Sequence, residues 1–303
     1  MKINYKLAYL KLNSSGLFDE RIDKLYKILE NCTLCPRNCR VNRLKKEKGF
    51  CGATDELVVL SIYPHFGEES ELVGSGGSGT IFLSRCNLGC LYCQNYEISH
   101  LGEGQAISEK ELAKNMLRLQ KLGCHNINLV TPTHFSPQLV KAIKFAIELG
   151  LRLPIVYNCG GYENVETVKL LDGIVDIYMP DIKYSQKEPA EKFSKAPDYF
   201  EHAKEAVLEM YRQVGDLEVI DGIAERGLLI RHLVLPNDLA GSKKVLEFIA
   251  EEISKDAYVN IMDQYRPQFQ ALSYPELSRR LTEEEYNKVI EMARELGLQR
   301  GFA

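Results

Sequence analysis

The sequence lacks any long hydrophobic run. No stretch of its 303 residues approaches the roughly 20 consecutive apolar residues that a membrane-spanning helix needs. Residues 1–16 contain neither a hydrophobic core segment nor a small-residue cleavage site, so the sequence predicts no secretory signal. We therefore expect a cytoplasmic protein without a membrane partner.

The chain also lacks an excess of positive charge and any convincing internal repeat. Its 38 Lys and Arg residues face 42 Asp and Glu residues, which leaves a formal net charge of -4. This balance argues against a broad nucleic-acid-binding face. The basic run at 37–48 is an exception, and such runs are typical of solvated loops.

Cysteine, by contrast, is abundant and clustered. Seven of the nine cysteines fall between residues 32 and 93. Without a secretory signal we expect them in a reducing compartment, where thiols stay free for metals or catalysis. Metal binding is therefore the first hypothesis for this part of the chain.

The pattern from residue 79 onward indicates an α/β fold, because short apolar or β-branched runs alternate with amphipathic stretches. Six such βα units imply a doubly wound sheet or an incomplete barrel. We predict a barrel domain over 79–303 and an N-terminal helical and Cys-rich extension over 1–78, with a short strand at 57–62. The predicted barrel strands are 80–84, 126–131, 153–158, 174–179, 228–235 and 257–262. The predicted helices are 108–121, 136–149, 163–171, 198–213, 242–253 and 282–297.

Cys86, Cys90 and Cys93 have the spacing C-x3-C-x2-C, directly after the first barrel strand. Three thiolates so spaced can hold three irons of a cubane cluster and leave the fourth iron open. An open iron can chelate the amino and carboxylate groups of a methionine moiety. Tyr92 places an aromatic ring where an adenine can lie against it. The alternative is a zinc site completed by a histidine such as His100, although zinc sites usually combine two short Cys/His hooks.

The sequence CNLGCLYCQN, which follows GSGTIFLS, resembles the radical S-adenosylmethionine (SAM) superfamily. More specifically, the chain is similar to the pyruvate formate-lyase activating-enzyme group, in a branch with a Cys-rich N-terminal extension. The resemblance runs from about residue 32 to about residue 267. It implies a partial (β/α)6 barrel, a 4Fe-4S cluster on the three cysteines, and reductive cleavage of SAM to a 5'-deoxyadenosyl radical. It also implies an electron donor such as flavodoxin or ferredoxin.

The same resemblance implies residues that hold SAM. Asp181 and Lys183 match the family's D-x-K motif, and Arg231 matches an arginine of the fifth barrel strand. A surface charge pair is the alternative for Asp181 and Lys183. The family's G-G-E-P element is replaced here by T-P-T-H, where carbonyls and hydroxyls of Thr131 and Thr133 can accept the amino group instead.

Two further residues at the end of the third barrel strand are candidates. Asn158 can contact the ribose or carboxylate of SAM, or it can act as a turn or capping residue. Cys159 can donate a hydrogen atom or bind substrate, or it can be a small buried hydrophobic residue like Cys124.

Cys32, Cys35, Cys39 and Cys51 form a second group with the spacing C-x2-C-x3-C-x11-C, before the first motif in the chain. Four soft ligands favour either zinc or a second iron–sulfur cluster. The sequence leaves this choice open.

The substrate is the least determined part of the prediction. The resemblance favours hydrogen abstraction from a glycine of a glycyl-radical enzyme, which would make a protein the substrate. The alternatives are radical modification of another peptide, cofactor or metabolite, and a non-catalytic protein that binds iron–sulfur or zinc.

Overall fold

The computed structural model describes residues 7–302 and contains a predominantly parallel sheet flanked by helices. The strands are β1 (Val58–His65), β2 (Ser78–Leu83), β3 (Gln105–Ala106), β4 (Ile127–Val130), β5 (Ile155–Cys159), β6 (Ile177–Pro180), β7 (Glu218–Ile220), β8 (Ile223–Leu233) and β9 (Tyr258–Met262). The helices are α1 (Ala8–Ser14), α2 (Leu17–Ile28), α3 (Ser70–Val73), α4 (Glu109–Lys121), α5 (Ser136–Glu148), α6 (Val165–Leu170), α7 (Lys187–Ser194), α8 (Tyr199–Val214), α9 (Ser242–Phe248) and α10 (Glu283–Glu295).

Six strands run parallel in the order β2-β4-β5-β6-β8-β9. Within the described residues β9 does not pair with β2, so the barrel is open on that side. The three remaining strands pair in antiparallel fashion: β1 pairs with β2, β3 pairs with β1, and β7 pairs with β8. The predicted partial (β/α)6 barrel is therefore confirmed.

Local sequence signals account for the helix boundaries. Ser108 and Glu111 form a capping box at the start of α4, and Thr282 and Glu285 form another at the start of α10, as the sequence pattern Thr-x-x-Glu indicates. Predicted helix 242–253 consists of α9 followed by a wider π-helical turn at Ile249–Ile253. No helix within residues 7–302 is long and apolar enough to cross a membrane.

The N-terminal extension packs into the same hydrophobic core as the barrel. Leu25 and Leu34 are buried in one cluster with Ile127 and Ile155 of the central strands. Strand β1 also joins the barrel sheet through β2, across the predicted boundary after residue 78. That boundary stays a prediction, but the two parts share a sheet and a core.

The elements that were not predicted from the sequence include a β-hairpin and helix α7. Strand β8 begins at Ile223 rather than at residue 228 and turns back to β7 through Asp221 and Gly222, both with positive φ. An Asp-Gly pair is a known signal for such a two-residue turn. Helix α7 was missed because its eight residues, KEPAEKFS, carry a proline and little apolar periodicity.

Candidate functional site

A cavity of about 260 Å³ lies at the carboxyl ends of the parallel strands. In parallel α/β folds this edge is where ligand-binding loops meet. Nearly all sequence-predicted residues of the first site line this cavity, namely Cys86, Cys90, Tyr92, Cys93, Thr131, Asn158, Asp181, Lys183 and Arg231.

The three-cysteine loop follows β2 and is shaped by a tight turn. Gly89 has a φ of 69°, a left-handed conformation that favours glycine, and a Cβ atom there would lie 3.1 Å from the Phe50 ring. The turn leaves the sulfurs of Cys86, Cys90 and Cys93 on one wall of the cavity.

Each sulfur of this loop accepts a hydrogen bond from the chain. The Leu88 N–H donates to Cys86 Sγ at 3.3 Å. The hydroxyl of Ser194 donates to Cys90 Sγ at 3.1 Å, and the hydroxyl of Ser99 donates to Cys93 Sγ at 3.2 Å. Donors of this kind stabilise thiolates, and in iron–sulfur proteins they tune the cluster potential. No sequence signal distinguished these two serines.

The geometry fits a cluster of several irons better than one zinc ion. Within residues 7–302, no three Cys, His, Asp or Glu side chains converge closely enough to hold a single metal ion. His100, the histidine considered for zinc, bonds through Nε2 to the Cys90 carbonyl at 2.9 Å and packs on Phe269. The sulfurs of a cubane's ligands are spread over separate irons, so three separated thiols suit a cluster.

Asp181, Lys183 and Arg231 form one buried network at the cavity wall. Asp181 accepts from Lys183 Nζ at 2.6 Å and from Arg231 Nε at 2.9 Å, while Arg231 Nη2 donates to Asn158 Oδ1 at 2.7 Å. Burial alone would raise the pKa of Asp181, but the two cations outweigh burial and hold that pKa below its ordinary value. The predicted residues therefore meet as a charged cluster, not as an exposed surface pair.

Two residues that sequence reasoning missed support this network. Glu68, from the loop after β1, lies 3.6 Å from Arg231 Nη1, and burial raises its pKa. The Tyr199 hydroxyl accepts from the Lys183 N–H and donates toward the carbonyls of Gly160 and Asp181, all at 2.9 Å. Glu68 and Glu69 are adjacent in the sequence, but no sequence pattern indicated that Glu68 lies against Arg231 of β8.

The structure corrects the role expected for Thr133. Thr131 lines the cavity, but the chain then turns into a short 3-10 helix that buries Thr133 and aims its hydroxyl at Glu163 Oε1, 2.5 Å away. Its hydroxyl is therefore not presented to the cavity. Tyr92 does line the cavity, where its ring packs edge-on against Tyr184 and Tyr265.

Glu163 itself is buried beside the site. Burial raises the pKa of Glu163 to about 8, although hydrogen bonds from Thr133 and Tyr157 act in the opposite direction and lower it. The carboxyl is therefore mostly protonated at pH 7. Burial and the neighbouring Glu163 also raise the pKa of Cys159, so this cavity-lining residue carries a neutral thiol.

The second cysteine group surrounds a separate, small cavity. Cys32, Cys35, Cys39 and Cys51 all line it, together with His134. All nine cysteines of the chain are free thiols. The structure thus gathers the seven clustered cysteines into two sites and leaves Cys124 outside both.

Comparison with known proteins identifies the superfamily. The family model described as the radical SAM superfamily matches residues 80–224. A protein of Methanocaldococcus jannaschii, described as uncharacterized, is 36% identical over 301 residues, which cover 96% of this chain and 82% of that protein.

Solved structures resemble this chain at low sequence identity. A radical SAM methyltransferase from Sphaerobacter thermophilus superposes with a TM-score of 0.51 and 14% identity, over 74% of this chain and 65% of that one. The match thus spans just under two thirds of the methyltransferase. A domain of pyruvate-formate lyase-activating enzyme from Bacteroides vulgatus gives a TM-score of 0.37 and 12% identity, over 64% of this chain and 91% of that domain.

Proposed function

We propose a function from one premise: the chain belongs to the radical SAM superfamily. Its cofactors are accordingly a 4Fe-4S cluster and SAM. We infer that the chain cleaves SAM reductively and abstracts a hydrogen atom from a substrate. The observation that carries this inference is that Cys86, Cys90 and Cys93 line one cavity with the Asp181 network.

A 4Fe-4S cluster held by Cys86, Cys90 and Cys93 would supply the electron for reductive cleavage of SAM to methionine and a 5'-deoxyadenosyl radical. The chain's own residues bind and orient SAM. Lys183 and Arg231 present positive charge at the cavity wall for its carboxylate, held in place by Asp181. Asn158 and the backbone of Thr131 offer oxygens that can accept from its amino group or ribose.

The cavity also limits access of water to the radical. Tyr92 and Tyr265 line the cavity, Tyr184 packs edge-on against Tyr92, and all three side chains are buried. A dry wall protects a primary carbon radical from side reactions. Cys159, also at the wall, is placed to contact a substrate as a neutral thiol.

For the substrate, we propose a glycine of a glycyl-radical protein, by the likeness of Asp181, Lys183 and Arg231 to residues of the pyruvate formate-lyase activating enzymes. The donor of the electron would be a flavodoxin or ferredoxin, and the reaction would take place in the cytoplasm. The likeness of these three residues gives no role to the second cysteine group. That group therefore favours the alternative of another peptide, cofactor or metabolite as substrate.

The test of SAM cleavage is formation of 5'-deoxyadenosine by anaerobically reconstituted protein with dithionite. We expect product from the wild type and from Cys124→Ala, a buried cysteine outside both sites, but none from Cys90→Ala. Product from Cys90→Ala at the wild-type rate would contradict the assignment.

The substrate class is tested separately. A glycyl-radical protein incubated with the active chain and SAM should develop the EPR doublet of a backbone glycyl radical. If 5'-deoxyadenosine forms but no doublet appears with any such protein, the activase proposal is wrong and the alternative substrate class stands.

A further inference from the structure

The Cys-rich segment, defined as residues 32–51, closes around its own small cavity. The Cys32 N–H donates to the Val41 carbonyl, and the Arg40 N–H donates back to the Cys32 carbonyl, both at 3.0 Å. This pairing folds residue 32 back onto residues 40 and 41, and all four cysteines of the segment line the cavity. Cys32 and Cys35 are buried, and Cys39 and Cys51 are half-buried.

Two buried polar side chains line this cavity with nitrogens that have no partner. His134 is 1% exposed, and its Nε2 bonds to the Ser84 carbonyl at 2.7 Å, but its Nδ1 makes no hydrogen bond within the described chain. Arg43 is 1% exposed and donates to the Thr54 carbonyl, while its Nη1 is likewise unpaired among residues 7–302. Buried polar atoms are rarely left unsatisfied, so the Arg43 Nη1 donor indicates an acceptor in this cavity.

The arrangement of the thiols favours several metal ions over one. A tetrahedral zinc site needs four sulfurs about 2.3 Å from a common point. Four thiols line the cavity, but no three potential ligands in the described part of the chain are placed to hold a single ion. The same is true of Cys86, Cys90 and Cys93, where the family cofactor is a multi-iron cluster.

We propose that Cys32, Cys35, Cys39 and Cys51 bind a second iron–sulfur cluster, with Arg43 as a buried hydrogen-bond donor to it. Four thiolates saturate all the irons of a 4Fe-4S cubane. Unlike the cluster on the first site, this one has no open iron for a substrate. It is a closed site, distinct from the SAM-binding cavity.

Local contacts fit this assignment. The Phe50 N–H donates to Cys39 Sγ at 3.2 Å, the kind of bond that cluster thiolates accept. Gly49 lies so close that a Cβ atom there would stand 2.7 Å from the same sulfur, so no side chain can occupy that position. The Arg43 guanidinium supplies a positive charge that offsets the negative charge of a thiolate cluster.

The proposed cluster would also lie against the loop of the first. Arg37, between Cys35 and Cys39, donates to the carbonyls of Asn87 at 2.9 Å and Leu88 at 2.9 Å, both inside the first cysteine loop. His134 reaches the same loop through Ser84. The second cluster would thereby hold in place the segment that positions the first.

Iron content tests the proposal on the full chain, reconstituted anaerobically with iron and sulfide. In a Cys86→Ala/Cys90→Ala/Cys93→Ala background, we expect about four irons and four sulfides per chain, with an EPR signal after reduction. Adding Cys35→Ser and Cys39→Ser should remove both. Adding Cys124→Ser, at a buried cysteine before β4, is the matched control and should retain both.

A second measurement needs no substitution and therefore does not depend on the variants folding. In iron-57 Mössbauer spectra of the wild type, SAM should alter the signal of one cluster and leave about half of the iron unchanged. Two results would overturn the proposal. Both show iron for one cluster only, the first together with about one zinc per chain and the second together with four thiols that react freely with an alkylating agent. None of these readouts requires SAM cleavage, so failure here is distinguishable from failure of the proposed function.

The role of Arg43 has its own test. Arg43→Met removes a positive charge beside the cluster, which disfavours the reduced form, so the midpoint potential of the second cluster should become more negative. Arg43→Lys keeps the charge and should restore part of the shift. An unchanged potential in Arg43→Met would refute the contact between Arg43 and the cluster.

Discussion

The two cysteine groups differ in what their sulfurs face. Cys86, Cys90 and Cys93 face a cavity of about 260 Å³ with the Asp181 network on its wall. The four cysteines of the Cys-rich segment instead surround a small cavity of their own. On the proposed assignments, three ligands beside open space would leave a coordination position for SAM, whereas four ligands around a closed space would leave none. The comparison therefore separates a proposed reactive site from a proposed structural one.

The two regions are nevertheless one physical unit. Arg37 joins them through four backbone carbonyls, those of Asn87, Leu88, Ser194 and Lys195. Its guanidinium also stacks on the Phe50 ring, 3.7 Å from the ring centre. A substitution in one of the two regions should therefore affect the stability of the other.

The largest effect is expected for Asp181→Ala, which acts on the first site alone. It leaves Lys183 and Arg231 as buried cations without their shared carboxylate, at a cost of about 3–5 kcal/mol in the free energy of unfolding. SAM binding should also weaken by about 1–3 kcal/mol in Asp181→Ala and in Lys183→Ala, with cluster absorbance retained. Denaturant unfolding and equilibrium SAM binding measure the two effects. Unchanged SAM affinity in both variants would show that the D-x-K likeness is accidental.

A smaller effect is expected for Arg37→Ala, which tests the link between the regions. Loss of its hydrogen bonds should lower the free energy of unfolding by about 2–4 kcal/mol, at the usual net value for each bond. We also expect the first cluster to bleach faster under a chelator, because its loop loses support. Arg40→Ala, at an exposed arginine of the same segment, is the control. Equal bleaching rates in the two variants would mean that the regions are independent.

The smallest effect concerns Glu163, a buried carboxyl near both regions. Burial is the main cause that raises the pKa of Cys35 and of Cys159, and an ionised Glu163 would raise both further. Its own pKa is raised by burial from 4.5 to about 8. The folded state then holds a proton that the unfolded state has lost, so stability is full below pH 4.5 and falls as pH rises toward 8.

Between pH 6 and 7 this fall should be about 1.4 kcal/mol in the free energy of unfolding. Glu163→Gln, which has no titrating group, should flatten the curve over that interval by about this amount. Urea unfolding at the two pH values is the measurement. If the variant keeps the wild-type slope, Glu163 is ionised in the folded protein and the buried acid is not protonated.

Prediction from sequence succeeded where the signal was local. The six barrel strands, the capping box of α10 and the three-cysteine loop each follow from spacing within a few residues. It failed at the β7–β8 hairpin, although Asp221 and Gly222 carried a readable turn signal. It also misplaced the Thr133 hydroxyl, because the direction of a side chain after a strand depends on the turn that follows.

The sequence by itself determined the positions of both cysteine groups and the alternation of strands and helices, since both depend on short-range spacing and periodicity. Only the tertiary structure decided what surrounds those cysteines. Glu68 reaches Arg231, Ser194 reaches Cys90, and Arg37 reaches Asn87 across separations of 163, 104 and 50 residues. Such contacts arise when the barrel closes and buries charged and polar groups that must then find partners, and no local pattern specifies which partners they find.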